Sequence, residues 1–168
     1  MAILAIAGGK PLNRKGYRIK WPVVTEADVK AVARVASSGA WWRYDGEEVT
    51  KFEREFGRRH DARYVLGVSN GTVAIEIALR ACGIEPGDEV IVPAVTFVAS
   101  ASAVLMARAV PVFADIREDT CQIDPEDVEK KITPRTKAIV VVHYGGYPVD
   151  MDAILEIARK YKLKVVED

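Results

Sequence analysis

The sequence predicts an α/β protein: a mainly parallel sheet with helices on both faces. Two features carry this reading. Short valine-rich apolar runs show no alternation with polar residues, and stretches of helical periodicity lie between them. A strand buried on both faces reads as a continuous apolar run, and parallel neighbours need a crossover, usually a helix, to bring the chain back.

Along the chain, residues 8–24 are polar and punctuated by glycine and proline, and they read as an extended arm. Thr25 then has the character of an N-cap. Glu26 and Asp28 fall in the first turn of a helix running to about Val35 and ended by Ser37-Ser38-Gly39. Gly46 precedes a second amphipathic helix marked by Val49, Phe52 and Phe56. From Ala62 onward, strands are expected at 64–68, 89–92, 110–113, 138–142 and 163–166. Helices are expected at 73–82, about 97–107, 125–131 and 151–161. Asp124-Pro125 is a helix start with cap and first-turn proline, while Gly83 and Pro86-Gly87-Asp88 break helix from strand. Residues 1–60 are thus an arm with helices, and 61–168 the α/β region.

Composition narrows the function. Lys+Arg and Asp+Glu number 24 each in 168 residues, so the basic excess of a phosphate-backbone binder is lacking and a nucleic-acid partner is not expected. No apolar run approaches the length of a membrane span. The apolar opening at 1–7 lacks a preceding basic flank and is too short for a signal peptide. Cys82 and Cys121 stand far apart without a CxxC pattern, which predicts neither disulfide framework nor metal site and makes a reducing cytoplasm the expected setting.

Open α/β sheets bind ligands outside the carboxyl ends of their strands, which directs attention to the residues after each run. Ser69-Asn70-Gly71-Thr72 is a strand-to-helix turn whose N–H groups and helix dipole suit a phosphate; the same turn also serves as an ordinary cap. Phe97 follows another strand, as core side chain or as stacking platform. Asp168 ends the run 163–167, where a buried carboxylate needs a cation or hydrogen-bond donors and an exposed one needs neither. His143 is either a satisfied strand-end histidine or a substrate-lining one. Trp41, Trp42 and Arg43 lie in an inter-helix loop that either packs or contacts substrate. GxGxxG and GxxxxGK[ST] are both missing, which leaves a plain nucleotide-binding module weakly supported.

Taken together, the pieces resemble the DegT/DnrJ/EryC1/StrS family of pyridoxal-phosphate sugar aminotransferases. The matching stretches include Ser-Asn-Gly-Thr-Val-Ala-Ile-Glu (69–76), Gly-Asp-Glu-Val-Ile-Val-Pro-Ala-Val-Thr-Phe-Val-Ala-Ser (87–100), Pro-Val-Phe-Ala-Asp-Ile (111–116), Val-His-Tyr-Gly-Gly (142–146) and Val-Val-Glu-Asp (165–168), in order along the whole chain. Gly39-Ala-Trp-Trp-Arg, with the Gly-Glu-Glu-Val that follows, resembles the branch with 3-amino-5-hydroxybenzoate synthase and aminocyclitol aminotransferases.

The resemblance implies the large domain of the fold-type-I, aspartate aminotransferase-like architecture and pyridoxal 5'-phosphate as cofactor. Gly71 and Thr72 would hold its phosphate, Phe97 would stack on its ring, and Asp168 would bond its ring nitrogen. It further implies a glutamate or glutamine donor, a keto-sugar, nucleotide-sugar or keto-cyclitol acceptor, and a homodimer with the 8–24 arm and the loop 41–43 near its interface. An aromatising dehydratase and a non-catalytic cofactor binder are the alternatives. In the family a lysine beyond the aspartate carries the cofactor. No residue follows Asp168 here, so the chain is expected to be the front part of a longer protein, inactive alone.

Overall fold

The computed structural model describes residues 3–13 and 21–168. Part of the arm expected at 8–24 therefore lies outside the described residues. The chain divides into two compact units, Met1–Leu66 and Gly67–Asp168.

In the first unit, α1 (Glu26–Ser38) starts on a capping box. The Thr25 hydroxyl accepts the Asp28 N–H at 3.3 Å while the Asp28 carboxylate accepts the Thr25 N–H at 2.7 Å. Gly39, at φ 70°, ends it in the left-handed conformation that glycine adopts without strain. The second helix, α2 (Glu48–His60), is joined to α1 by Arg34 and Glu48 at 3.0 Å. Phe52, Phe56 and His60 stack along one α2 face, as their spacing of four residues requires. Gly57 is needed for a close approach: a Cβ there would stand 3.0 Å from the Ala62 carbonyl oxygen and 3.2 Å from Val65.

The expected strand at 64–68 does not form. Tyr64 and Leu66 are exposed, and the run lies outside the one sheet found among the described residues. An apolar run becomes a strand only when a neighbour pairs its N–H and C=O groups, which its own residues cannot decide.

The second unit holds four strands: β1 (Glu89–Pro93), β2 (Val110–Ala114), β3 (Thr136–Val141) and β4 (Lys164–Glu167), in the order β2-β1-β3-β4. All three pairings are parallel. Successive side chains alternate between two apolar layers. Val90, Val92, Ala138, Val140 and Val166 meet α3 (Gly71–Ala81) and α4 (Ala99–Met106) through Ile75, Leu79, Ala103 and Val104. Ile91, Ala114, Ile139 and Val141 meet α5 (Pro125–Lys131) and α6 (Met151–Tyr161) through Val128 and Ile154. Helices on both faces of a parallel sheet are what the unalternating runs predict. The bounds of α5 and α6 match the sequence reading because Asp124-Pro125 and Asp150 supply capping oxygens. No helix among the described residues is long and apolar enough to cross a membrane.

The amino edge of the sheet is tied by a buried carboxylate. Glu89, 4% exposed, accepts from the Thr133 hydroxyl, from Arg135 Nε at 2.9 Å and from the Thr136 hydroxyl at 3.5 Å. A bulge skips Lys137 and leaves Thr136 opposite Glu89. The Thr133 hydroxyl, followed by the Arg135 guanidinium, holds the Glu89 carboxyl below its ordinary 4.5. A depressed folded-state pKa contributes stability that is present above the unfolded value and lost as pH falls through the folded one. Unfolding of Glu89→Gln, followed in denaturant, should show a loss of about 1–3 kcal/mol at neutral pH. The penalty should shrink as pH drops below 4.5; a gap between variant and parent that stays constant with pH would contradict this role.

Candidate functional site

The connections leave the sheet in two directions at its carboxyl edge. From β1 the chain passes through α4 to β2 on one side; from β3 it passes through α6 to β4 on the other. The loops leaving β1 and β3 therefore diverge, the arrangement at which open α/β sheets bind ligands. The start of α3 lies at the same edge. The chain of α4 runs from the carboxyl end of β1 back to the start of β2, and Arg80 in the last turn of α3 donates to the Met106 carbonyl at the end of α4, 2.8 Å away. The two helices end together, so α3 begins at the carboxyl edge.

Asn70 is extended at φ −167°, and its Oδ1 accepts the Val73 N–H at 3.0 Å. This cap starts the helix at Gly71 rather than at 73 as the periodicity predicts, making Gly71 and Thr72 its first two residues. Their N–H groups and the Thr72 hydroxyl meet no acceptor among the described residues, in keeping with the orphan donors of a helix start. A Cβ on Gly71 would touch nothing within 4 Å, so the space over the turn is open. Free donors at the positive end of a helix favour an anion.

Phe97 is 75% exposed and belongs to neither apolar layer among the described residues. It precedes α4, whose first residue is Ala99, instead of opening it.

Asp168 carries the ladder one residue past β4: its N–H donates to Val141 at 2.9 Å and its carbonyl accepts from His143 at 3.1 Å. Its Oδ2 accepts from the hydroxyl of Ser100, 2.6 Å away and fully buried in the first turn of α4. The Thr96 hydroxyl stands 2.8 Å from Ser100 Oγ. Asp168 enters no ion pair among the described residues. The carboxylate is therefore held by hydroxyl donors.

His143 follows the other layer. Glu167 and Asp168 alternate across the sheet, and His143 Nε2 lies 3.2 Å from Glu167 while Nδ1 accepts the Val149 N–H at 3.1 Å. Val149 belongs to the α5/α6 layer, whereas Ser100 and Asp168 meet on the α3/α4 side. Both ring nitrogens are engaged, in the manner of a satisfied strand-end histidine. Trp42 and Arg43 belong to the first unit. The Trp42 indole N–H donates to Asp45, and Arg43 clasps Glu53 through two bonds, one of 2.8 Å. That pairing raises the Arg43 guanidinium above its ordinary value and fastens the loop to α2.

Three polar residues escaped the sequence reading. Ser100 holds Asp168 and Thr96 backs Ser100; the trace in the sequence was two serines, Ser100 and Ser102, in the otherwise apolar stretch 97–107 just after Thr96. Gln122, 3% exposed, donates to the Tyr144 carbonyl at 3.1 Å and accepts its N–H at 3.3 Å, clamping the turn after β3. No local pattern around Gln122 signals that contact.

Residues 22–168 match the DegT/DnrJ/EryC1/StrS aminotransferase family. The chain is 43% identical over 148 residues to 3-amino-5-hydroxybenzoate synthase of Amycolatopsis mediterranei (strain S699), covering 88% of this chain and 38% of that protein. It is 43% identical over 170 residues to L-glutamine:2-deoxy-scyllo-inosose aminotransferase of Streptomyces kanamyceticus, covering 98% and 40%. The crystal structure of NtdA from Bacillus subtilis with bound cofactor PMP superposes with a TM-score of 0.82 at 39% identity, covering 92% of this chain and 37% of that one. The chain thus spans about two fifths of the length of the curated relatives it matches.

Because a backbone N–H can only donate, its bond to Nδ1 leaves the ring proton on Nε2, which then donates to Glu167. Nitrogen-resolved NMR should find His143 protonated at Nε2 and bare at Nδ1 at neutral pH. A protonated Nδ1 would show that the Val149 bond is not made.

Proposed function

The chain belongs to the DegT/DnrJ/EryC1/StrS aminotransferase family, which is pyridoxal-phosphate dependent, and from that premise we propose that the protein moves an amino group from glutamate or glutamine onto a keto sugar, nucleotide-sugar or keto cyclitol. The observation that carries this reading is the Asp168 carboxylate, held by a buried hydroxyl at the same sheet edge as the free donors of Gly71 and Thr72.

The residues present fit pyridoxal 5'-phosphate. Gly71 and Thr72 offer N–H donors and a hydroxyl beneath open space, suited to its phosphate. Phe97 offers an exposed aromatic face for its ring. Asp168 offers an anion for the ring nitrogen, and each charge favours the charged form of the other. When bound, the cofactor supplies an electron sink for the carbon that loses or gains the amino group. The chain's part would be to orient it: Asp168 would keep the proton on the ring nitrogen, Thr72 would anchor the phosphate, and Phe97 would cover the ring. In the net exchange the donor's amino nitrogen ends on the acceptor carbon; the acceptor's carbonyl oxygen leaves as water, and a water molecule supplies the oxygen of the keto acid formed from the donor.

The likeness to 3-amino-5-hydroxybenzoate synthase supports a second reading, in which the same site assists dehydration and aromatisation of an amino-ketone ring. Under both readings the protein works as a homodimer. No residue of α1 is buried, and Val29, Val32 and Trp41 are exposed, a surface suited to a second copy. Light scattering of the cofactor-loaded gene product should give twice the chain mass; a monomer would exclude the dimer.

In the complete gene product, glutamine or glutamate should convert bound pyridoxal phosphate to its amine form with release of the keto acid. Asp168→Asn should slow that conversion by several orders of magnitude while cofactor binding suffers much less, because phosphate and stacking contacts remain. Thr72→Val should instead weaken cofactor affinity about 5- to 30-fold. Rapid amino transfer by Asp168→Asn would refute the assignment of Asp168, and unchanged affinity in Thr72→Val that of the phosphate site.

A further inference from the structure

We propose that Ser100, supplied by Thr96, is a positioning residue that pins Oδ2 of Asp168 and so leaves Oδ1 as the oxygen presented to the cofactor's ring nitrogen. The inference rests on the cofactor reading above and adds a part that the carboxylate alone cannot perform.

The backbone of Asp168 is fixed on both sides by Val141 and His143, but those bonds leave its side-chain torsions free. The final torsion of an aspartate is broad, so its two oxygens interchange unless something holds one of them. Ser100 Oγ, 2.6 Å from Oδ2, is the only side chain that bonds the carboxylate among the described residues. The length is that of a charge-assisted hydroxyl-to-carboxylate bond.

The direction of the chain follows from proton count. An ionised carboxylate only accepts, so Ser100 spends its single proton on Asp168. The 2.8 Å contact with Thr96 is then a bond donated by Thr96 to Ser100 Oγ. Each hydroxyl in such a row polarises the next and strengthens the bond to the anion. Burial argues that the serine is there for this purpose. Ser100 is fully buried between Ala99 and Ala101, where alanine would favour the helix more and leave no hydroxyl to satisfy; Ser102 in the same helix turns its hydroxyl back onto the Ala99 carbonyl instead. Its partners are Thr96 and Asp168. Ser100 and Asp168 lie 68 residues apart in sequence, so their bond aligns the first turn of α4 with the end of β4.

The test uses the complete gene product and pyridoxal phosphate labelled with nitrogen-15 in the ring. The unaltered protein should bind it, with a ring-nitrogen signal at the protonated position. Ser100→Ala should weaken binding about 3- to 10-fold and move the signal toward the unprotonated position, while affinity for inorganic phosphate stays unchanged. Thr96→Val should give a smaller change of the same sign, and Ser100→Thr, which restores a hydroxyl, should recover the parent signal. A Ser100→Ala protein that binds the cofactor with the parent's ring-nitrogen signal would overturn the inference and leave the proposed function standing, even if its thermal midpoint had dropped. Failure of the unaltered protein to bind pyridoxal phosphate would instead overturn the proposed function.

Discussion

The parallel register of β3 and β4 decides which acid faces which layer, and the site depends on that choice. Val165 and Val166 pack into opposite layers, so Glu167 and Asp168 must also diverge. Glu167 meets His143, and Asp168 meets Ser100. A slip of one residue would exchange the two carboxylates and bury the wrong valine on each side. The apolar layers thus enforce the register, and the register delivers the carboxylate to the start of α4.

The two edges of the sheet use polar groups in opposite ways. At the amino edge, Glu89 collects Thr133, Arg135 and Thr136 and is saturated by them. Such a carboxylate has no lone pair directed outward for chemistry, and its value is in fixing where β1 and β3 begin. At the carboxyl edge, Asp168 has one oxygen held, and the first N–H groups of α3 have no acceptor among the described residues. Saturated groups stabilise, whereas free donors and a half-held anion at one sheet edge are what the proposed ligand, with an anionic group and a protonated ring, would require.

The neighbouring turns show how precision is supplied from outside the site. Gln122 grips the backbone of Tyr144 from both directions, and Val149 fixes His143, so the loop after β3 is set by contacts on the α5/α6 side. Thr96 and Ser100 act on the other side. Neither pair resembles a catalytic motif. Gln122 reaches a residue 22 positions away and Ser100 one 68 positions away.

Periodicity and cap chemistry by themselves determined the α/β class, the four sheet strands and the helices of the second unit, because those signals reside within a few consecutive residues. Ser69-Asn70-Gly71-Thr72 and the acid after β4 were legible for the same reason: strand ends and helix starts have local signatures, and their place at the carboxyl edge follows from topology. Tertiary structure alone decided the rest. The run 64–68 needed a partner strand that its own residues could not provide. Phe97 is exposed, His143 is fully engaged and Arg43 is clasped by Glu53, outcomes set by neighbours brought in from other elements. The bond from Ser100 to Asp168 spans 68 residues of sequence. Hydrogen bonds of that reach depend on where the chain returns in space, and only the folded sheet specifies the return.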